Sequence, residues 1–147
     1  MIRLEVSPIV VHQLPQTLGE FKQALMKEYN QVNQLIFKVG VIEQQVSVVE
    51  NKILIIAKHK RIPVLEIIES SSDNLSVIID RLLIEKYKNL LEMYLVERFG
   101  FRIQVILKDY HPEKEISGTI IILDQKVEEY LTGKMSSIMR AGQPSGM

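Results

Sequence analysis

The densest group of side chains able to do chemistry lies between Lys108 and Glu115, where Asp109, Tyr110, His111 and Pro112 stand among four further charged residues. An imidazole that titrates near neutrality, with a carboxylate two residues away, could form a general base and its orienter or contribute to a metal site. The same residues also make an ordinary hairpin turn, with Asp109 capping its own backbone, Pro112 fixing φ and the other charges in water. The backbone restriction before proline accounts for most of the pattern, so the turn is the favoured reading. A second group, Lys58-His59-Lys60-Arg61, offers Lys58, Lys60 and Arg61 as candidates for binding a phosphorylated ligand, an acidic partner or anionic headgroups. No glycine-rich loop or helix N-terminus stands beside it to supply backbone donors, which favours a solvated strand end.

The remaining signals for catalysis are absent from the sequence. Histidines at 12, 59 and 111 have no metal-ligand spacing, and no phosphate-loop, dinucleotide, nucleophile-elbow or zincin motif occurs. With no cysteine, a disulfide framework, a Cys-ligated metal and a thiol nucleophile are excluded. No catalytic residue, metal or cofactor is assigned, and an enzyme is the less favoured class. The 147 residues carry 18 Lys+Arg against 18 Asp+Glu, so no global positive field draws the chain to nucleic acid. Its longest apolar run, the eight residues Ile116 to Leu123, is far short of the roughly 20 that cross a bilayer. The N-terminal residues do not read as a signal peptide, and a cytoplasmic location is expected.

The elements that would position these groups read as mixed α and β. Ile, Val and Leu make up a third of the chain, with the β-branched residues in the majority. Residues 1–15 form an arm with a possible short strand at Ile2, Leu4 and Val6. A helix is predicted over about Leu18 to Val39, with Leu18, Phe21, Leu25, Val32, Leu35 and Ile36 on one face, a Thr17/Glu20 capping box and Gly40 as its stop. A hairpin follows, from Val41 to Val49 and from Ile53 to Ala57, turning at Glu50-Asn51-Lys52 with Asn51 best suited to positive φ. Val64 to Ile68 reads equally as sheet or as a turn of helix. The longest helix runs from about Asn74 to Phe99, ended by Gly100, and its apolar stripe is wider than one seam needs. That surplus suggests a homodimer through Leu83, Tyr87, Leu90, Leu91 and Tyr94. Two more strands are predicted, Phe101 to Leu107 and Ile116 to Leu123. The second is apolar enough for burial on both faces, and a loop from Asp109 to Glu115 joins them.

The expected fold is α+β: an antiparallel four- or five-stranded sheet with two main helices on one face, in the order α-β-β-α-β-β. Residues 16–124 form the single domain, 125–139 a short amphipathic C-terminal helix, and 140–147 a disordered tail.

From about Phe21 to Leu123 the chain resembles the MpsC-like family, small domains named for a sodium-translocating, membrane-potential-generating system. The residues that carry the likeness are the hairpin Val46 to Ala57, the helix end Glu97-Arg98-Phe99-Gly100, the strand Ile103 to Leu107, and Asp109-Tyr110-His111-Pro112 before the last apolar strand. Lys60 to Glu66 departs from the family's usual Leu-Thr-Pro-x-Glu element. The resemblance implies a noncatalytic cytosolic accessory of an ion or bicarbonate transport system, with a membrane transport complex as partner. The alternative from the residues alone is a small-ligand sensor or enzyme built on the Asp109-Tyr110-His111 loop.

Overall fold

The computed structural model describes residues 14–69 and 74–131; the expected N-terminal strand and most of the expected C-terminal helix and tail lie outside them. The order is α1 (Leu18–Phe37), β1 (Glu43–Val49), β2 (Lys52–Lys58), α2 (Pro63–Glu69), α3 (Leu75–Phe99), β3 (Ile103–His111) and β4 (Ile116–Leu123), followed by a 3₁₀ turn at Val127–Tyr130. The strands pair antiparallel in the order β1-β2-β4-β3. This is the α+β sheet with helices packed against it that the sequence pattern predicts.

Local chemistry sets the boundaries. Thr17 Oγ1 accepts from Glu20 N at 3.1 Å, while Glu20 Oε1 turns back to accept from Gln16 N at 3.0 Å, satisfying orphan donors of the first turn. The helix ends before Gly40: Lys38 takes the left-handed conformation at φ 62, its N–H donating to Gln34 O. Gly40 lies in the exit chain, close under the last turn. Asn33 Nδ2 donates to Val39 O and Asn30 Oδ1 accepts from Val41 N, reeling the exit chain over the last turn. A Cβ at residue 40 would meet Gln34 Nε2 at 3.3 Å and Asn30 Oδ1 at 3.4 Å. Gly100 does end α3 as its pattern predicts, at φ 70 with its N–H on Val96 O.

The β1–β2 turn corrects a second expectation. Positive φ falls on Glu50, not Asn51. Asn51 is held instead by β4: its carbonyl accepts from Leu123 N, and its side-chain amide donates to Leu123 O, each at 2.9 Å. Val64 to Ile68 resolves as helix, with Pro63 at the first helical position, where its missing N–H costs nothing. Of the expected C-terminal helix, the described residues contain a 3₁₀ turn at Val127–Tyr130 followed by extended Leu131.

One face of the sheet meets the helices. Val46, Ile53, Ile55, Ala57, Ile106, Ile121 and Leu123 share a core with Phe21, Leu25, Tyr29, Val32 and Phe37 of α1 and Tyr87, Leu91, Leu95 and Phe99 of α3. Leu35, counted above on the buried face of α1, is exposed, and Tyr29, Asn33 and Phe37 turn inward. An aromatic group closes one end: Phe21 lies 5.1 Å from Phe99 and 5.8 Å from Phe101, and Phe101 meets Tyr130 edge-on at 4.9 Å. The 3₁₀ turn is pinned there by Tyr130, whose hydroxyl donates to Asp124 and accepts from Arg102 N.

Candidate functional site

The residues expected to form a loop are strand. β3 runs through His111, pairing Asp109 with Gly118, Tyr110 with Ser117 and His111 with Ile116, and the turn is confined to residues 112–115. Successive side chains on a strand face opposite ways. Asp109 and His111 therefore project from the uncovered side and Tyr110 from the helix side, so the three do not converge. Asp109 Oδ1 accepts from the Tyr110 backbone N–H at 2.9 Å, and His111 Nδ1 accepts from Lys114 N at 3.2 Å. Both groups serve the local backbone, Asp109 within the strand and His111 at the turn, and among the described residues no hydrogen bond joins Asp109 to His111. Pro112 begins the turn.

The basic stretch is also dispersed. Lys58 ends β2 on the uncovered face, and Lys60 is exposed, 3.9 Å from Glu115. Arg61 is buried: its guanidinium meets Asp80 of α3 at 2.8 Å, and its backbone N–H donates to Glu115. Arg61 is committed to that pair, so Lys58, Lys60 and Arg61 do not form the anion cradle considered from the sequence. His59, between them, is a core residue. Its ring stacks between Phe37 at 4.9 Å and Tyr110 at 4.5 Å, and Nδ1–H donates to Lys60 O. Nε2 is buried without a partner. Burial holds the imidazole below its ordinary pKa, with the Lys108 charge acting in the same direction. Tyr110 donates to His59 O at 3.0 Å, and burial followed by the Glu115 charge pushes its phenol up to about 12. His12 lies outside the described residues, and among those described no cluster of three metal-ligating side chains occurs.

A polar network with no sequence motif sits under the sheet. Lys108, on the helix side of β3 between Ile106 and Tyr110, reaches Tyr29 of α1, its amine donating to the phenol oxygen at 2.8 Å. Thr119 Oγ1 lies 2.8 Å and Ser117 Oγ 3.4 Å from the same oxygen. The amine also stands 4.1 Å over the Tyr87 ring, a cation on a π face. Tyr87 OH donates to the Tyr29 carbonyl at 3.0 Å, closing the circuit between α1, α3, β3 and β4. For Tyr29, burial alone would raise the phenol pKa, but the Lys108 charge and the three hydroxyl and amine contacts outweigh it and the net shift is downward. Tyr87 goes the other way, well above its ordinary value, through burial and its position against Tyr29. The only hint in the sequence is polar residues at inward positions of apolar strands.

Beside this network a cleft of about 360 Å³ opens between α3 and β3, lined in part by Asp80, Arg81, Lys88, Lys108, Asp109, Tyr110 and Pro112. Part of its charge is already matched, Asp80 by Arg61 and Glu85 by Lys88, each at 2.8 Å, while the Lys108 amine is engaged in its hydrogen bond to the Tyr29 phenol.

The expected dimer seam on α3 is corrected at its centre. Tyr87 and Leu91 are fully buried in the core of their own chain, and Leu83, Leu90 and Tyr94 are half-buried against it. A regular apolar surface lies elsewhere, on the side of the sheet away from the helices. In rows across β1, β2, β4 and β3, that face carries Val49-Lys52-Ile122-Val105, then Ser47-Leu54-Ile120-Leu107, Gln45-Ile56-Gly118-Asp109 and Glu43-Lys58-Ile116-His111. Leu107 is 49% exposed, Ile56 40% and Ile120 38%. The central strand β4 is patterned inside out, with Ser117 and Thr119 toward the core and Ile116, Ile120 and Ile122 toward solvent.

Comparison with known proteins brings no relative to bear. No family model, curated protein or solved structure matches the chain.

Proposed function

We propose that the protein is a noncatalytic interaction module that binds another protein through the uncovered face of its sheet. The observation that carries this reading is the patterning of β4. An isolated antiparallel sheet covered on one side places polar residues on the other, whereas here isoleucines occupy three of four outward positions of the central strand. Contiguous apolar surface of this kind marks an interaction site. The partner is a protein with an apolar face of its own, since Leu54, Ile56, Ile120 and Leu107 are framed by Glu43, Gln45, Ser47, Lys52, Lys58, Asp109 and His111, with no polar group among them to orient a small molecule. The dispersal of Asp109, Tyr110 and His111 weighs against the catalytic alternative. The MpsC-like resemblance supplies a setting, the cytosolic side of an ion or bicarbonate transport complex.

The test is affinity capture from native cells, on aqueous and detergent-solubilised fractions, using the tagged chain and its Leu54→Lys variant. The reading predicts partners retained by the wild type and lost by the variant with its fold intact. Identical captures from both would refute it. One observation favours a second reading, a small-ligand sensor: the α3–β3 cleft brings Asp109, Tyr110 and Pro112 beside Lys108 and Arg81. A metabolite that raises the melting temperature of the wild type but not of Arg81→Ala would support it.

A further inference from the structure

The geometry points to a second copy of this chain as the occupant of the uncovered sheet face, packed face to face about a two-fold axis that runs along the strands between β2 and β4. This inference rests on the interaction reading above and names its partner. The first support is Gly118, at the centre of the patch. Its φ is not positive, and a Cβ there would meet only Ile56 Cδ1, at an ordinary 3.8 Å. The chain's own packing therefore does not require glycine, which weakens a strand interior and marks a place where another group comes close.

The second support is the match of the face to itself. An axis between β2 and β4 keeps each row and exchanges its two halves, so a residue of β2 meets β4 of the second copy and a residue of β1 meets β3. Ile56 of each copy then projects into the hollow left by Gly118 of the other, twice over. Leu54 meets Ile120 in the adjoining row. On the rim, the Glu43 carboxylate comes opposite the His111 imidazole and the Gln45 amide opposite the Asp109 carboxylate. Each contact is made twice, as an isologous interface requires. Other sheet-on-sheet pairs pack about 10 Å apart with strands within roughly 30° of alignment, a separation that one layer of interleaved Leu and Ile fills.

Size is the third support. Four strands at about 4.8 Å and seven residues at about 3.3 Å give a flat outline near 19 by 23 Å. Side-chain relief brings the two copies to about 1,000 Å² buried, the lower bound of a specific interface.

Sedimentation equilibrium of the full chain between about 1 and 100 μM, with the Gly118→Val variant run beside it, tests this. The wild type is expected at twice 16.9 kDa. Valine suits a strand and its Cβ would meet Ile56 Cδ1 at an ordinary 3.8 Å, so the variant is expected to keep its circular dichroism while its dissociation constant rises at least a hundredfold. A second pair guards against an unfolded variant: Glu43→Arg, on the exposed rim, weakens the dimer about fivefold or more, and Glu43→Arg with His111→Glu restores it. A wild type that stays monomeric throughout overturns the second copy as occupant, and a Gly118→Val protein that dimerises like the wild type overturns the face as its interface. If the wild type is monomeric yet Leu54→Lys still abolishes partner capture, the interaction reading stands with a different protein as the occupant. If both measurements are unaffected by these substitutions, the two fail together.

Discussion

Tyr29→Phe is the sharpest perturbation of the network beneath the sheet, because it removes one oxygen and leaves the ring. The aromatic contact survives: Tyr29 and Tyr87 meet edge-on with centroids 5.4 Å apart. The phenol oxygen takes with it the bond from the Lys108 amine and the bond to Thr119, both 2.8 Å. A hydrogen bond from a charged donor contributes about 1.5–3 kcal/mol and a neutral one about 1 kcal/mol. Phenylalanine is easier to bury, and Lys108 retains Thr119 at 3.5 Å, which together return part of the loss. The expected net cost is about 2 kcal/mol, or about 4–8 °C in Tm for a chain of this size. Urea denaturation at pH 7 measures it, and tyrosinate absorbance adds an independent readout. The Tyr29 phenol is held below its ordinary pKa, so ionising it favours the folded state. That contribution is fully present above the unfolded value near 10 and is lost as pH falls through the lower folded value. The wild type should therefore gain stability over Tyr29→Phe as pH rises toward 10, and the earliest tyrosinate absorbance should disappear in the variant. A variant within about 0.5 kcal/mol of the wild type, with an unchanged absorbance titration, would refute the reasoning.

Three further outcomes follow from single contacts. Lys38→Gly relieves a left-handed cap that costs a non-glycine residue about 1–2 kcal/mol, offset by glycine's entropy, so stability should rise by about 0.5–1 kcal/mol; a loss in thermal melting would contradict this. Asp80→Asn removes the carboxylate facing the buried Arg61 guanidinium and should cost about 2–3 kcal/mol, read by chemical denaturation, with Asp80→Glu recovering part of it. Because burial lowers the His59 pKa, the unfolded chain binds this proton more readily. Stability should therefore fall as pH drops below about 6.5, and His59→Phe, which keeps the stacking on Phe37 and Tyr110, should flatten that acid limb; parallel curves would exclude His59 as its source.

What the sequence revealed and what it hid divide along physical lines. β4 was legible to its end residues, because an apolar run bounded by charge has one reading, and its suitability for burial on both faces led to the uncovered sheet. The capping pair Thr17 and Glu20 was equally legible, since it acts within one turn. β3 reads as ending near Leu107 because the alternation Ile103, Val105, Leu107 meets Asp109 at its next position; the structure instead shifts the pairing between Ile103 and Val105, which turns Val105, Leu107 and Asp109 to the uncovered face and Ile106 and Lys108 inward. Nothing local announces that Lys108 is received by Tyr29, 79 residues away, and by the Tyr87 ring. The same misreading turned Asp109, Tyr110 and His111 into one site, whereas strand alternation parts them between two faces. Positive φ at Lys38 and Glu50 was invisible for a related reason: the side chains of Asn30 and Asn33, and the ties from Asn51 to Leu123, fix the exits of those elements from a distance.

The central claim is that a second copy of the chain covers the outward face of β2, β4 and β3. Photochemical carbene labelling of the wild type in solution, read residue by residue by mass spectrometry, tests it most directly. Leu82 and Met93 of α3, 63% and 65% exposed, serve as internal standards. The account predicts that Ile56, Leu107 and Ile120 are labelled several-fold less than their exposure in the single chain implies, with the protection lost in Gly118→Val. Labelling of those three in proportion to Leu82 and Met93 at every protein concentration would contradict it.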